Sequence, residues 1–398
     1  MSVTENKSKS AADYVGIASE LARRFAEDAA ERDKQGGTPK TQRDWIRESG
    51  LLKLTLPVEY GGDGQPWSVA LRIVREFAAT DSAVAHLYGY HLAILANFNR
   101  VGSPEQKKRY LSGTAEHNWF WGNTANARGE SKLLGKRSTD GGYLLNGTKK
   151  FTTGTPDSDR VLVYFQDEAT LETKHGVLHR ERQGVTVHDD WNGFGQRQTG
   201  SGTVTFRDVE IAPEEVLETQ EGYGDGYNPP LTQSILTGIY LGIGLGALEA
   251  ARSYIHNRSL PYALSGVESA SQDPYILRSY GELWTSLKGA ESLVDRASEQ
   301  LDRLAAAGYR VSDEERAETA ALVTAANVLA GKASLEAANR IFELTGTRSA
   351  TTDRGLDRFW RNVRIHTLHN PVDYKLRNIG DWALNGTPPP TPVAGLHT

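Results

Sequence analysis

The chain has 398 residues, of which 38% are hydrophobic and 24% charged, with a formal net charge of −5. That composition is globular. The charge excludes an electrostatic footprint for nucleic acid, and the absence of cysteine excludes disulfides, thiolate nucleophiles and cysteine-ligated metal or iron–sulfur sites. The polar first ten residues and the lack of an 18-residue uninterrupted apolar run predict neither a secretory signal nor a membrane span, and hence a cytoplasmic protein.

The first stretch reads as helices. Ile17, Leu21 and Phe25 recur at helical spacing, as do Val69, Ile73 and Phe77. Thr38-Pro39 predicts an N-cap followed by proline at the first helical position, with Gly50 as the stop. Pro57 to Gly64 reads as a loop.

Near Asn118 the texture changes to short β-rich runs. Tyr143 to Leu145 leads into Asn146-Gly147, read as a turn pair. Val161 to Phe165 reads as a buried strand, and Val185–Val187 and Thr203–Phe206 as short ones. After Pro230 the helical pattern returns. Ser312 with Glu315 forms a capping box opening a helix that runs to Gly346. Asn370-Pro371 predicts the N-cap and first residue of a last helix ending near Gly386. Gly242, Gly244 and Gly246 fall inside an apolar helical pattern, which signals close helix packing rather than a dinucleotide fold.

The expected fold is therefore α+β, mainly α. It has a helical domain at 1–116, an antiparallel β-domain at 117–228 and a helical bundle at 229–398.

Several segments resemble the acyl-CoA dehydrogenase superfamily. Leu56-Pro57-Val58-Glu59-Tyr60-Gly61-Gly62 is similar to its P-x-x-Y-G-G loop, Asn146 to Gly154 to its N-G-x-K segment, and Ala247 to Arg258 to its phosphate-arginine helix. Within the superfamily, His86 to His91, Asn118 to Asn123, Asp189-Asp190-Trp191, Asp273 to Glu282 and Asp357 to His369 resemble the two-component flavin monooxygenases of the dibenzothiophene monooxygenase group. The resemblance implies a three-part acyl-CoA dehydrogenase-like fold ending in a four-helix bundle, assembled as a homotetramer. It implies reduced FMN from a separate NAD(P)H:flavin reductase, with FAD as the alternative cofactor. The reduced flavin would meet O2 as a C4a-hydroperoxide and oxygenate a small apolar organosulfur substrate.

The same resemblance assigns site residues. His366 and His369 would lie beside the flavin peroxide. Asn123 and Thr153 would meet the flavin, Thr153 at its N5. Trp191 would stack on the ring or wall the substrate, and His86 and Tyr90 would line the substrate pocket. Arg258 and Arg348 would clamp the phosphate. The histidine pair precedes a helix N-terminus, whose dipole disfavours added positive charge and keeps imidazoles neutral.

Asn370 stands where acyl-CoA dehydrogenases of this kind carry a glutamate base. An amide cannot remove an α-proton. Nor does Asn123 to Arg128 keep those enzymes' T-E-P-G-x-G-S-D segment. No metal site is expected. The competing readings are an N-hydroxylase using reduced FAD and an FAD-dependent acyl-CoA dehydrogenase.

Overall fold

The computed structural model describes residues 9–124, 132–217, 228–307 and 312–390. The N-terminal helices are α1 (Ala11–Ala26), α2 (Ala29–Gln35), α3 (Lys40–Ser49), α4 (Trp67–Thr80), α5 (Ser82–Val101), α6 (Pro104–Lys107) and α7 (Gly113–His117). Ser10 opens α1 with a capping box closed by Asp13, and Leu21 and Phe25 are buried beneath it. Gly50 ends α3 in the left-handed conformation at φ 82°, where glycine carries no Cβ penalty. The start of α3 differs from the sequence expectation. Pro39 itself precedes the helix, at φ −88° and ψ 56°, with no side-chain cap. The helix begins one residue later, so Thr38 is too far out to cap it.

The sheet contains β1 (Trp121–Thr124), β2 (Leu133–Arg137), β3 (Tyr143–Lys149), β4 (Arg160–Asp167), β5 (Thr173–His179), β6 (Val185–Val187), β7 (Val204–Ile211) and β8 (Val216–Leu217). The strand order is β6-β7-β3-β2-β4-β5-β8, with β1 also on β4. It is rich in antiparallel pairs but mixed, because both β1 and β2 run parallel to β4. Asn146-Gly147 is not a turn. Both residues lie inside β3, where the pairing with β7 shifts register between Leu145 and Gly147. Gly147 takes φ 140°, and a Cβ there would meet the Lys132 carbonyl oxygen at 2.1 Å. The signal that marks a turn serves a bulge equally well.

The second helical part has α8 (Asn228–Arg258), α9 (Pro274–Ala306), α10 (Asp313–Thr345), α11 (Asp357–Thr367) and α12 (Val372–Asn385). The first four form the bundle, and α12 packs on α10. The Ser312–Glu315 capping box opens α10, and Gly346 follows its end. α8 sits at the centre of the molecule. A Cβ on Gly242 or Gly246 would come within 2.4 and 2.0 Å of the Arg75 and Ala79 carbonyls of α4, and one on Gly244 within 2.5 Å of Ser334 Oγ of α10. The helix packs backbone to backbone. It is long and apolar enough to cross a bilayer, but 83% of its most apolar window is buried in the protein. One hydrophobic core joins α1, α4 and α5 to α8, α9, α10 and α11, so the two helical parts fold around shared packing, with the sheet attached at one side.

Candidate active site

Asp81 anchors the site. It caps α5 by accepting from the Ala83 and Val84 amides, both at 3.1 Å, and is itself held by the buried Arg32 guanidinium at 2.5 Å. Arg32 also reaches Gln198 at 2.7 Å. This network fixes the first turns of α5, which present His86 and Tyr90 one turn apart.

His86 is buried. Its ring meets Tyr90 edge-on at 4.2 Å and the ring of His366, from α11, at 4.6 Å. His366 is buried too, and its carbonyl accepts the Tyr240 hydroxyl of α8 at 2.9 Å. His369 follows, its amide donating to the same carbonyl at 3.0 Å. Among the described residues, neither ring nitrogen of His86, nor Nε2 of His366, has a hydrogen-bond partner. Burial, reinforced by His366 and His369, holds the His86 pKa well below the usual histidine range. Burial, with His369 adding to it, lowers His366 to about 3. Burial pushes Tyr90 up to about 12. Near neutral pH His86, His366 and Tyr90 are uncharged, and each of these two imidazoles offers one donor and one acceptor.

For His366 the neutrality expected from the sequence is present, but its cause is different. His366 belongs to the last turn of α11, where the helix dipole favours positive charge. Desolvation overrides the dipole. Asn370 also differs from expectation: Pro371 is the residue before α12, so Asn370 stands one position further out and is not the N-cap. The chain still has an amide there, at a half-buried bend.

The sheet supplies a second wall. The Asn123 amide of β1 donates to the Thr153 carbonyl at 3.1 Å. Thr153 lies in the turn after β3 rather than in a strand. Its hydroxyl shares a hydrogen bond with Ser201 at 2.9 Å, Ser201 with Thr199 at 2.7 Å, and Thr199 donates to the Gln196 carbonyl at 2.9 Å. The half-buried Trp191 donates from its indole to that same carbonyl at 2.8 Å. Gln196, in the left-handed region at φ 52°, gives its amide to Asn362 of α11 at 2.6 Å and its side chain to Ser82 of α5 at 2.8 Å. One loop thus ties Thr153 and Trp191 to the two helices that carry the histidines. A buried hydroxyl and a part-exposed aromatic face are a hydrogen-bonding group and a surface that suit a flavin ring.

The structure brings His86, Tyr90, His366 and His369 together, and joins Asn123, Thr153 and Trp191 into one wall. It does not bring Arg258 or Arg348 to either. Both are exposed, and Arg258 ends α8 eighteen residues, or about 27 Å, beyond Tyr240. Residues 125–128 of the segment that departs from the acyl-CoA enzymes lie outside the described residues. Sequence reasoning missed Tyr240, Gln196, Ser201 and Asn362. Only Gln196 had a local signal, being a polar residue directly after Gly195 and two before Gln198-Thr199.

The Acyl-CoA dehydrogenase N-terminal, middle and C-terminal domains match residues 17–118, 125–209 and 234–374. A probable FMNH2-dependent monooxygenase, SfnC of Pseudomonas putida, is 38% identical, the match covering 94% of this chain and 95% of that protein. The dibenzothiophene monooxygenase of Rhodococcus qingshengii is 38% identical over 95% and 94% of the two chains. Among solved structures, the methanesulfinate monooxygenase MsuC of Pseudomonas fluorescens is 40% identical with a TM-score of 0.91, covering 96% of this chain and 99% of its own. FMN-bound TdsC of Paenibacillus sp. A11-2 is 37% identical, also at 0.91, covering 96% and 100%. The chain belongs to the acyl-CoA dehydrogenase family, among its FMNH2-dependent monooxygenases.

Proposed function

We propose that this protein is the oxygenase of a two-component system, taking reduced FMN from a separate NAD(P)H:flavin reductase and using O2 to oxygenate a small organosulfur compound. The observation that carries the reading is the buried, uncharged group formed by His86, Tyr90 and His366, with imidazole nitrogens that no group among the described residues satisfies. Buried polar atoms are costly when unpaired, and such atoms persist where a ligand completes them. Reduced FMN supplies the activation of O2. The protein's residues orient and shield. Asn123, Thr153 and Trp191 hold the ring, Tyr90 stays protonated as a donor, and His86, His366 and His369 hold protons beside the reacting oxygen while excluding water. Asn370 adds to the flavin wall without acting as a base.

This reading includes the division into parts at 1–116, 117–228 and 229–398. It also includes a cytoplasmic homotetramer in which Arg258 and Arg348 reach a flavin phosphate across a subunit boundary. FMN is preferred to FAD.

The test is a substrate panel with enzymatically reduced FMN and O2, scored by mass spectrometry for products that gain one or two oxygens. The expected result is oxygenation of an organosulfur substrate by a nearly colourless protein. A yellow preparation with stoichiometric FAD that oxidises acyl-CoAs would overturn it.

A further inference from the structure

Arg43, on α3, is a fully buried cation. Its guanidinium lies 4.1 Å from the centre of the Phe120 ring. The Asp157 carboxylate stands 3.9 Å away, beyond hydrogen-bond reach. Among the described residues, Nε and Nη2 have no hydrogen-bond partner. Nη1 donates to the Gly154 carbonyl at 3.1 Å. Burial pulls the Arg43 pKa down to about 9, which leaves the group charged at neutral pH. Arginine is almost never fully buried unless paired, because an uncompensated charge in the interior is costly. Stapling α3 to the sheet does not account for it. Arg47, one turn along the same helix and half-buried, already does so, with the Asp159 carboxylate at 2.9 Å and the Asp157 carbonyl at 3.1 Å.

What Arg43 reaches is the turn that carries Thr153. Thr152 to Thr155 form a tight turn, closed by the Thr155 amide donating to the Thr152 carbonyl at 3.1 Å. Thr153 is its first central residue. Gly154 is its second, at φ 76°, the left-handed position that favours glycine. Two bonds fix the central peptide: the Asn123 amide donates to the Thr153 carbonyl at 3.1 Å, and the Gly154 amide donates to the Thr199 carbonyl at 2.9 Å. The next peptide, between Gly154 and Thr155, is the one that Arg43 holds. Glycine gives that peptide a wide conformational choice. A charged donor bonds roughly twice as strongly as a neutral one, and this one closes the turn's last degree of freedom. The Thr153 hydroxyl is thereby kept in one place, beside Ser201.

We infer that Arg43 is a positioning residue of the oxygenation site: acting through the Gly154 carbonyl, it sets the place of Thr153, the residue that meets the flavin ring. The inference rests on the monooxygenase reading and extends it to a residue that acts only through another.

The test is a double-mutant cycle on reduced-FMN affinity, measured anaerobically by fluorescence titration of the full-length protein, with Arg43→Met, Thr153→Val and the two combined. An apolar side chain in place of a buried charge is commonly tolerated, so Arg43→Met is expected to fold. It should weaken reduced-FMN binding by about tenfold, the worth of one hydrogen bond. In the Thr153→Val background its effect should be at least about threefold smaller, because the group it positions is gone. An arginine that only supports the fold lowers affinity equally in both backgrounds. Should Arg43→Met not fold, Arg43→Lys takes its place in the cycle with the same expected coupling. Binding unchanged by the Arg43 variant, an equal loss in both backgrounds, or a Thr153→Val protein that binds as wild type does would overturn the assignment and leave the monooxygenase reading in place. Wild type that binds no reduced FMN would overturn both.

Discussion

Two histidines five residues apart on α5 are alike in burial and different in their partners. His86 and His91 are both buried. Burial lowers the pKa of both, His91 to about 3. They point about 140° apart around the helix. His91 faces the junction with the sheet: Nε2 donates to the Leu52 carbonyl at 2.8 Å, Nδ1 accepts the Trp121 amide at 3.3 Å, and Phe120 packs against the ring. Both nitrogens are satisfied and the tautomer is fixed. His86 faces Tyr90 and His366, and among the described residues neither of its nitrogens has a partner. Burial and a depressed pKa are common to both, so neither property identifies a site. What separates the two is hydrogen-bond completeness.

The most severe way to break this comparison is to remove an incomplete histidine. His366→Ala and His86→Ala are expected to cut coupled product formation by about 10²–10⁴-fold, the range for a positioned proton donor or acceptor. Reduced-FMN binding should survive, and reductase-driven NADH consumption should continue with the electrons appearing as hydrogen peroxide. Coupled turnover within about twofold of wild type, less than about 0.5 kcal/mol of barrier, would make these histidines structural.

Acid stability treats the two kinds of histidine as equals. His86, His91 and His366 are held neutral in the folded protein, so below the ordinary histidine pKa of about 6.5 the unfolded chain binds protons that the native state refuses. Stability is full above that value and is lost as pH falls toward about 3, the pKa of His91 and His366 in the fold. Each group contributes at most about 1.4 kcal/mol per pH unit, so the three together give about 4. Denaturant titrations from pH 7 to pH 4 should show this slope, and His91→Phe should reduce it by about a third. A flat profile would show that the site admits protons.

At neutral pH the structural histidine should declare itself. His91→Ala leaves the Leu52 carbonyl and the Trp121 amide unmatched and opens a cavity beside Phe120, at a cost of about 2–4 kcal/mol. Activity per folded molecule should stay within about twofold. A large loss of activity without loss of stability would erase the distinction between the two faces of α5.

How much of this was legible in the sequence follows from range. Local periodicity marked α1, α4 and α10, and the Gly242–Gly246 run told of close packing because only glycine admits another backbone that near. Fine placement failed where one local signal has two uses. Asn146-Gly147 serves a bulge as well as a turn, and proline before a helix shifted the starts of α3 and α12 by one residue. His366 was recognised, but its support was not. Tyr240 reaches it across 126 residues and Gln196 reaches Asn362 across 166, and a tyrosine in an apolar helix reads simply as core.

The smallest expected effect belongs to the far end of the bundle. α8 and α10 run parallel, with Gly244 beside Ser334 and Thr237 beside Asn327. Arg258 is the last residue of α8, and Arg348 lies just beyond Gly346, which follows the end of α10. Both guanidiniums are exposed, and in the proposed function they would act as a phosphate clamp. A clamp there acts on a flavin only if a second subunit brings its site to it. Arg348→Ala is expected to weaken reduced-FMN binding by about ten- to 150-fold, the value of a charge-assisted phosphate contact of roughly 1.5–3 kcal/mol, measured anaerobically by fluorescence titration. Stability should be unchanged, because the side chain is exposed and buries nothing. The diagnostic measurement is a mixed assembly. Co-refolded with excess His366→Ala subunits, the inactive Arg348→Ala subunits should regain product formation, since their intact histidine site can then use a neighbour's Arg348. Absence of rescue, with binding unimpaired in the single variant, would place the phosphate elsewhere and leave the arginines as surface charge.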